Sequence, residues 1–234
     1  MIIKPENALA QELRALAESM GACHFGIADL SRAWRENPAS FEESGPLLTG
    51  VSIGVHEDMA LLDGLPRTDF EYRVDHYNAK IALALRIGDH VAELLRANGF
   101  QAHRLSHPPK IRPTGLYKLT ARLAGLGWIG KNRLLLTPEH GCHIALGAVL
   151  TDAPLPVYNG PLMENRCGDC MKCIEACPVH AYAREPFGEK DSMAGFNTGL
   201  CAVARGVINP TGWGLCGLCV KACPVGREEC HAPS

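Results

Sequence analysis

The stretch Cys167-Gly168-Asp169-Cys170-Met171-Lys172-Cys173-Ile174-Glu175-Ala176-Cys177-Pro178 decides how this chain is read. Two residues separate each of the first three thiols, three separate the third from the fourth, and the fourth precedes a proline. A second run, Cys201-x14-Cys216-x2-Cys219-x3-Cys223-Pro224, repeats that ending, so eight of the eleven cysteines fall in two related motifs. A C-x2-C-x2-C loop supplies three corners of a 4Fe-4S cube and turns backbone N–H groups toward the sulfides, while the fourth thiolate comes from elsewhere. The pattern therefore predicts two 4Fe-4S clusters with crossed ligation. Cys167, Cys170, Cys173 and Cys223 hold the first, and Cys201, Cys216, Cys219 and Cys177 the second.

Cys201 is the outlying member, because fourteen residues separate it from Cys216. It is assigned by counting, as the nearest thiol able to complete the second set, and is expected on a loop through Gly206, Pro210 and Gly212 that folds back. Zinc would use two C-x2-C pairs, but the third cysteine two residues on and the two Cys-Pro endings fit it poorly. Disulfides belong to oxidising compartments and to small chains that lack a core. This chain has 234 residues and is 47% hydrophobic. Cys23 and Cys230 stand outside the motifs and are read as structural or incidental.

Length and composition suit one substantial domain and a smaller one. The formal net charge is -2. Residues 159–234 hold seven Lys or Arg against eight Asp or Glu, so neither part has the basic excess of a nucleic-acid module, and the composition argues against such a partner. The N-terminus reads MIIKPENALA, without a basic segment followed by an apolar one. No uncharged apolar run approaches the roughly eighteen residues of a membrane span. A soluble, unexported, cytoplasmic protein is expected.

Residues 1–158 read as an α/β sandwich domain, because helical and strand patterns alternate. Helices are predicted over 7–20, about 70–97 and 116–123. Strands are predicted over 23–28, 51–55, 101–105, 134–137 and 143–150. Pro154 to Pro161, with three prolines and a glycine, marks the boundary to a small two-cluster domain of the bacterial ferredoxin type over 159–234. The class is α+β.

Gly125-Leu126-Gly127-Trp128-Ile129-Gly130-Lys131-Asn132 fits neither a P-loop nor a dinucleotide fingerprint. Alone it reads equally as a tight turn with Trp128 in the core. In order with Thr137-Pro138-Glu139-His140-Gly141, an apolar strand ending in Val149 to Leu155, and the cysteine runs, it resembles the epoxyqueuosine reductase family and its shorter relatives with a double 4Fe-4S domain. That resemblance implies an iron–sulfur oxidoreductase fed by a donor such as a ferredoxin or flavodoxin. It further implies electrons passing through both clusters to cobalamin or another corrinoid on the α/β domain, or to an unidentified small-molecule or protein acceptor.

The chain departs from the family pattern in three places. Where the family enzyme has an aspartate as proton donor, this chain reads Lys110-Ile111-Arg112-Pro113-Thr114. Where it has Asp-Tyr-His, this chain reads Asp75-His76-Tyr77. Its helical extension beyond the second cluster has no counterpart before Ser234. These differences point to the short relatives. Epoxyqueuosine reduction on tRNA and a non-catalytic electron-transfer subunit stay open as alternatives.

Asp75, His76 and Tyr77 are candidate proton-transfer residues, against the reading of an ordinary polar helix face. The resemblance makes Gly127, Trp128, Ile129, Gly130, Lys131, Asn132 and His143 candidates for cofactor binding. Against this, Lys131 reads equally as a surface lysine. His143 and Cys142 read as a buried neutral histidine and a small apolar-like thiol.

Overall fold

The computed structural model describes residues 6–56, 70–105, 115–183, 195–208 and 216–226. Its helices and strands follow in the order α1 Glu6–Ser19, β1 His24–Asp29, α2 Ser31–Glu36, β2 Thr49–His56, α3 Phe70–Ala97, β3 Ala102–Arg104, α4 Leu116–Leu123, β4 Trp128–Ile129, β5 Leu135–Leu136, β6 Ile144–Thr151, α5 Lys172–Glu175, α6 Thr198–Ile208 and α7 Leu218–Lys221. The chain divides into two compact units that alternate along the sequence. The first takes Met1–His56, Lys80–Gly127 and Ala145–Met163, and the second takes Glu57–Ala79, Trp128–Ile144 and Glu164–Ser234.

The first unit is organised on a four-stranded sheet in the order β1-β2-β6-β3. β1 and β2 run antiparallel from His24↔Gly54 to Asp29↔Thr49, and β3 pairs antiparallel with β6 from Ala102↔Thr151 to Arg104↔Val149. The period of two sorts side chains to opposite faces. Phe25, Ile27, Val51, Ile53, Val55 and Val149 share one face with Leu9, Leu13 and Ala17 of α1 and with Ala84, Ile87, Val91 and Leu95 of α3. Spacings of three and four residues put those helical positions on single stripes, which is why α1 and α3 lie flat on the sheet. Ala28, Ala148 and Leu150 line the other face with Leu30, Phe41, Leu116 and Ala124.

Two glycines explain how closely α4 approaches that second face. A Cβ on Gly50 would lie 2.7 Å from Thr120 Cγ2 and 2.8 Å from Leu30 Cδ1, and one on Gly26 would lie 2.8 Å from Ala124 Cβ. The helix occupies the volume those side chains would need. The expected α+β class is present, and α3 and α4 begin and end where the apolar spacing put them. Sequence reading passed over α2, whose six residues are too few to show a period and include no buried side chain.

The second unit has little regular structure and is organised by its turns. β4 and β5 form a two-stranded ladder, Trp128↔Leu136 and Ile129↔Leu135. They are joined by a turn in which Gly130 N–H donates to Leu134 O and Arg133 adopts φ +59°. The run from 163 onward contributes three short helices. α5 and α7 each precede a Cys-Pro and pack against one another, so the two halves of the motif repeat the same local structure. No helix among the described residues is long and apolar enough to cross a membrane.

Candidate metal centre

Each cysteine loop is built from turns that leave its first thiols partly buried and its last one buried. Asn165 Oδ1 accepts from Cys167 N–H at 2.8 Å, Cys170 N–H donates to Cys167 O at 3.0 Å, and Gly168 takes φ +48°. The loop then enters α5, with Ile174 buried beneath it. Cys177 follows at the helix end, 9% exposed, and its Sγ accepts from Ala181 N–H at 3.3 Å. The second loop repeats the device, with Gly217 at φ +65° starting α7 and Cys223, 6% exposed, ending it.

Cys201 does not lie on a returning loop. It lies in the first turn of α6, where Asn197 O accepts from Cys201 N–H at 3.2 Å and Asn197 Oδ1 accepts from Leu200 N–H at 2.9 Å. This corrects the expectation above: Gly206 is inside α6, and Pro210 and Gly212 lie outside the described residues. The overlooked signal was the asparagine ahead of an apolar helical spacing, an N-terminal helix signature.

The electrostatic environment shows which thiols share a neighbourhood. The Cys173 thiol is pushed up to about 11, first by burial and then by the negative charge of Cys223, Cys167, Cys219 and Cys170. The Cys219 thiol is also raised, first by burial and further by Cys201, Cys216 and Cys177, while a hydrogen bond from Tyr182 works the other way. Cys173, Cys177, Cys201 and Cys219 also cluster with Ile174, Ala181 and Tyr182 around one small core, where Tyr182 stacks on Phe196 at 5.0 Å between ring centroids. Thiolates crowded in this way repel one another and lose hydration, so the protein alone favours their protonated form. An iron–sulfide core would offset both penalties, because its positive charge stabilises the deprotonated sulfurs that bind it. The donor set and its burial fit such a group.

Around these thiols lies a shell that includes Trp128, Ile129 and Lys131, which the sequence analysis offers as cofactor candidates. Lys131 Nζ donates to Gly168 O at 2.6 Å and to Cys170 O at 3.0 Å, and lies 3.7 Å from Met171 Sδ. Asn165 Nδ2 donates to Ile129 O at 3.0 Å. The Arg166 guanidinium covers the Trp128 ring at 5.5 Å. Trp128, Ile129 and Lys131 thus brace the loop of Cys167 and Cys170. At Gly130 the end of the Leu136 side chain takes the space a Cβ would occupy.

Cys142 is buried beside Cys223. Its thiol is pushed well above the ordinary value, first by donating a hydrogen bond to Cys223, then by burial and by the charges of Cys223 and Cys219, with Asn132 opposing. Asn132 and His143 are both buried in the same unit, whereas Gly127 belongs to the first unit. Asp75, His76 and Tyr77 fall in the early turns of α3, and their side chains lie outside the described residues, as do His107, Lys110 to Thr114 and Cys230 altogether. Tyr182 was not singled out in the sequence, and an aromatic five residues after Cys177 carries no motif that would have flagged it.

Comparison with known proteins gives these motifs a context. Residues 166–227 match the family described as 4Fe-4S dicluster domain. An epoxyqueuosine reductase of Synechococcus sp. (strain CC9605) is 49% identical over 72 residues, which are 31% of this chain and 22% of that protein. A solved epoxyqueuosine reductase in complex with an epoxyqueuosine-modified tRNA-Tyr stem loop matches at TM-score 0.58 and 17% identity, over 94% of this chain and 65% of that one. A reductive dehalogenase whose structure suggests a mechanism for B12-dependent dehalogenation matches at TM-score 0.74 and 21% identity, over 97% of this chain and 33% of that one. The matched region is therefore less than two thirds of the length of each of these proteins, and the two solved structures share the fold. Residues 166–227 thus match a 4Fe-4S dicluster domain, and part of the chain is similar to epoxyqueuosine reductases.

Proposed function

We propose that the chain is an iron–sulfur reductase that takes single electrons from a low-potential donor and relays them through two 4Fe-4S clusters to an acceptor on the α/β unit. One observation supports the reading above all. Cys177 packs in one small core with Cys201 and Cys219, and the Cys219 thiol feels Cys201, Cys216 and Cys177, while the Cys173 thiol feels Cys223 first and then Cys167, Cys219 and Cys170. This is the grouping that crossed ligation requires, with Cys177 and Cys223 exchanged between the loops. Residues 1–158 would then carry the acceptor, and 159–234 the clusters.

The proposed acceptor is a corrinoid. The described B12-dependent dehalogenase has the same fold, and ferredoxin-type clusters work near or below about -400 mV, low enough to feed such a group. A bound corrinoid would supply the difficult reductive chemistry, with Asp75, His76 and Tyr77 as candidate proton donors near it. Anaerobic titration with base-off cobalamin, followed by absorbance and calorimetry, tests this part. Binding is expected, and its absence in cluster-loaded protein would remove the corrinoid from the account while leaving the relay.

A second reading, epoxyqueuosine reduction on tRNA, is favoured by the 49% identical relative of that name. The even charge balance does not decide against it, since an enzyme of this fold was solved with a tRNA stem loop. Restoration of queuosine in cells lacking their own reductase would support it. No restoration by well-expressed, cluster-loaded protein would exclude it.

A further inference from the structure

We propose that Lys131 is a positioning and potential-setting residue for the first cluster, the one assigned to Cys167, Cys170, Cys173 and Cys223. The inference rests on the two-cluster reading above and adds to it a device that makes the two sites unequal.

The geometry is asymmetric. At the first loop an ammonium group reaches across 37 positions of sequence to two consecutive-turn carbonyls, Gly168 O at 2.6 Å and Cys170 O at 3.0 Å. Those carbonyls belong to the turn that carries the first two thiols, so the lysine fixes the loop's curvature as well as its charge. Its own position is set by the β4–β5 turn, whose backbone is tied to the same loop by Asn165 and by the Arg166–Trp128 contact. The second loop has a different partner: Tyr182 hydrogen-bonds the Cys219 sulfur, with Cys201 and Cys177 close by. A phenol is a neutral donor, whereas an ammonium carries a full charge.

The consequence follows from charge. Adding an electron to a cluster makes the site more negative, and a fixed cation held in a half-buried position favours that change, with less screening than in water. Lys131 therefore biases the first site toward its reduced form relative to the second. A lysine whose only task was to bind a substrate anion would not commit its hydrogen bonds to loop carbonyls.

The test is EPR-monitored redox titration of the cluster-loaded full chain. The first cluster's signal is identified by its loss in a Cys170→Ser variant. In Lys131→Met and Lys131→Gln the reduced-to-oxidised ratio of that cluster at fixed potential is expected to fall about tenfold, a downward shift of about 59 mV for a one-electron couple. The second cluster should move much less, and Lys131→Arg should stay near wild type. An unchanged midpoint in fully loaded Met and Gln variants overturns the proposal. If those variants lose the first cluster, Lys131→Arg decides: retained iron supports the cation as the loop's anchor, and iron lost as in Lys131→Met overturns it. Failure of the two-cluster reading would be visible separately, as wild-type protein with well under eight irons per chain.

Discussion

Replacing Gly141 with alanine tests the packing that holds the second Cys-Pro ending in place. Gly141 has φ +54°, and a Cβ built there overlaps the carbonyl group of Val225, two residues beyond Cys223. Gly226, at φ +79°, faces the same turn from the other side and would overlap Gly141 and His140 if it bore a side chain. Two costs therefore add. An L-residue in the left-handed region costs about 1–2 kcal/mol. Overpacking against backbone that cannot rotate away adds about 1–3 kcal/mol. The expected loss is about 2–5 kcal/mol, a large share of the 5–15 kcal/mol typical of a domain. Gly45 supplies the comparison, because it has φ +64° and no atom within 4 Å of the place a Cβ would take, so Gly45→Ala carries the conformational cost alone. The assay is anaerobic urea unfolding of the loaded protein, followed by cluster absorbance and circular dichroism. With a slope of about 1–3 kcal/mol per molar, a loss of about 3 kcal/mol lowers the midpoint by about 1–3 M. Relief of the overlap by backbone movement would displace Cys223, so iron should fall first from the cluster that contains it. A Gly141→Ala protein no less stable than Gly45→Ala, with full iron, would refute the reasoning.

Two further outcomes can be stated briefly. Tyr182→Phe removes the hydroxyl bonded to Cys219, and a neutral hydrogen bond worth about 1 kcal/mol limits the resulting fall in the second cluster's midpoint to about 40 mV; redox titration showing a rise, or a shift confined to the first cluster, would contradict that contact. Asp29 Oδ1 accepts from Ser31 N–H at 2.8 Å, and hydrogen bonds from Ser31 hold its carboxyl below the ordinary 3.8. Its contribution is therefore present above that value and lost as pH falls through the lowered one, so the stability gap between wild type and Asp29→Ala should narrow on acidification and would count against the contact if it widened.

The elements whose signal is local were legible in the sequence. Leu9, Leu13 and Ala17 announce α1, and Ile87, Val91 and Leu95 announce α3, because helical spacing alone places them on one stripe. The two dense cysteine runs, Cys167 to Cys177 and Cys216 to Cys223, were legible for the same reason, since C-x2-C loops act within a few residues. What escaped notice depends on distant partners. Lys131 meets Gly168, 37 positions away, and nothing between Gly130 and Asn132 signals that contact. The Gly125 to Asn132 segment reads as one motif, yet its two parts fall in different compact units, with the break after Gly127. Cys142 resembled a buried apolar thiol, and only its place beside Cys223 separates it from one. Cys201 lay between the two cases, since its helix was signalled by Asn197 but the neighbouring glycines suggested a loop.

Crossed ligation is the central claim, and EPR of the reduced Cys177→Ala variant tests it most directly. Cys177 adjoins the first loop in sequence, but it packs in a small core that Cys201 and Cys219 also border. The account predicts that Cys177→Ala abolishes or converts the cluster of Cys201, Cys216 and Cys219 and leaves the signal that depends on Cys170 intact. Loss of the Cys170-dependent cluster with the other preserved would contradict it.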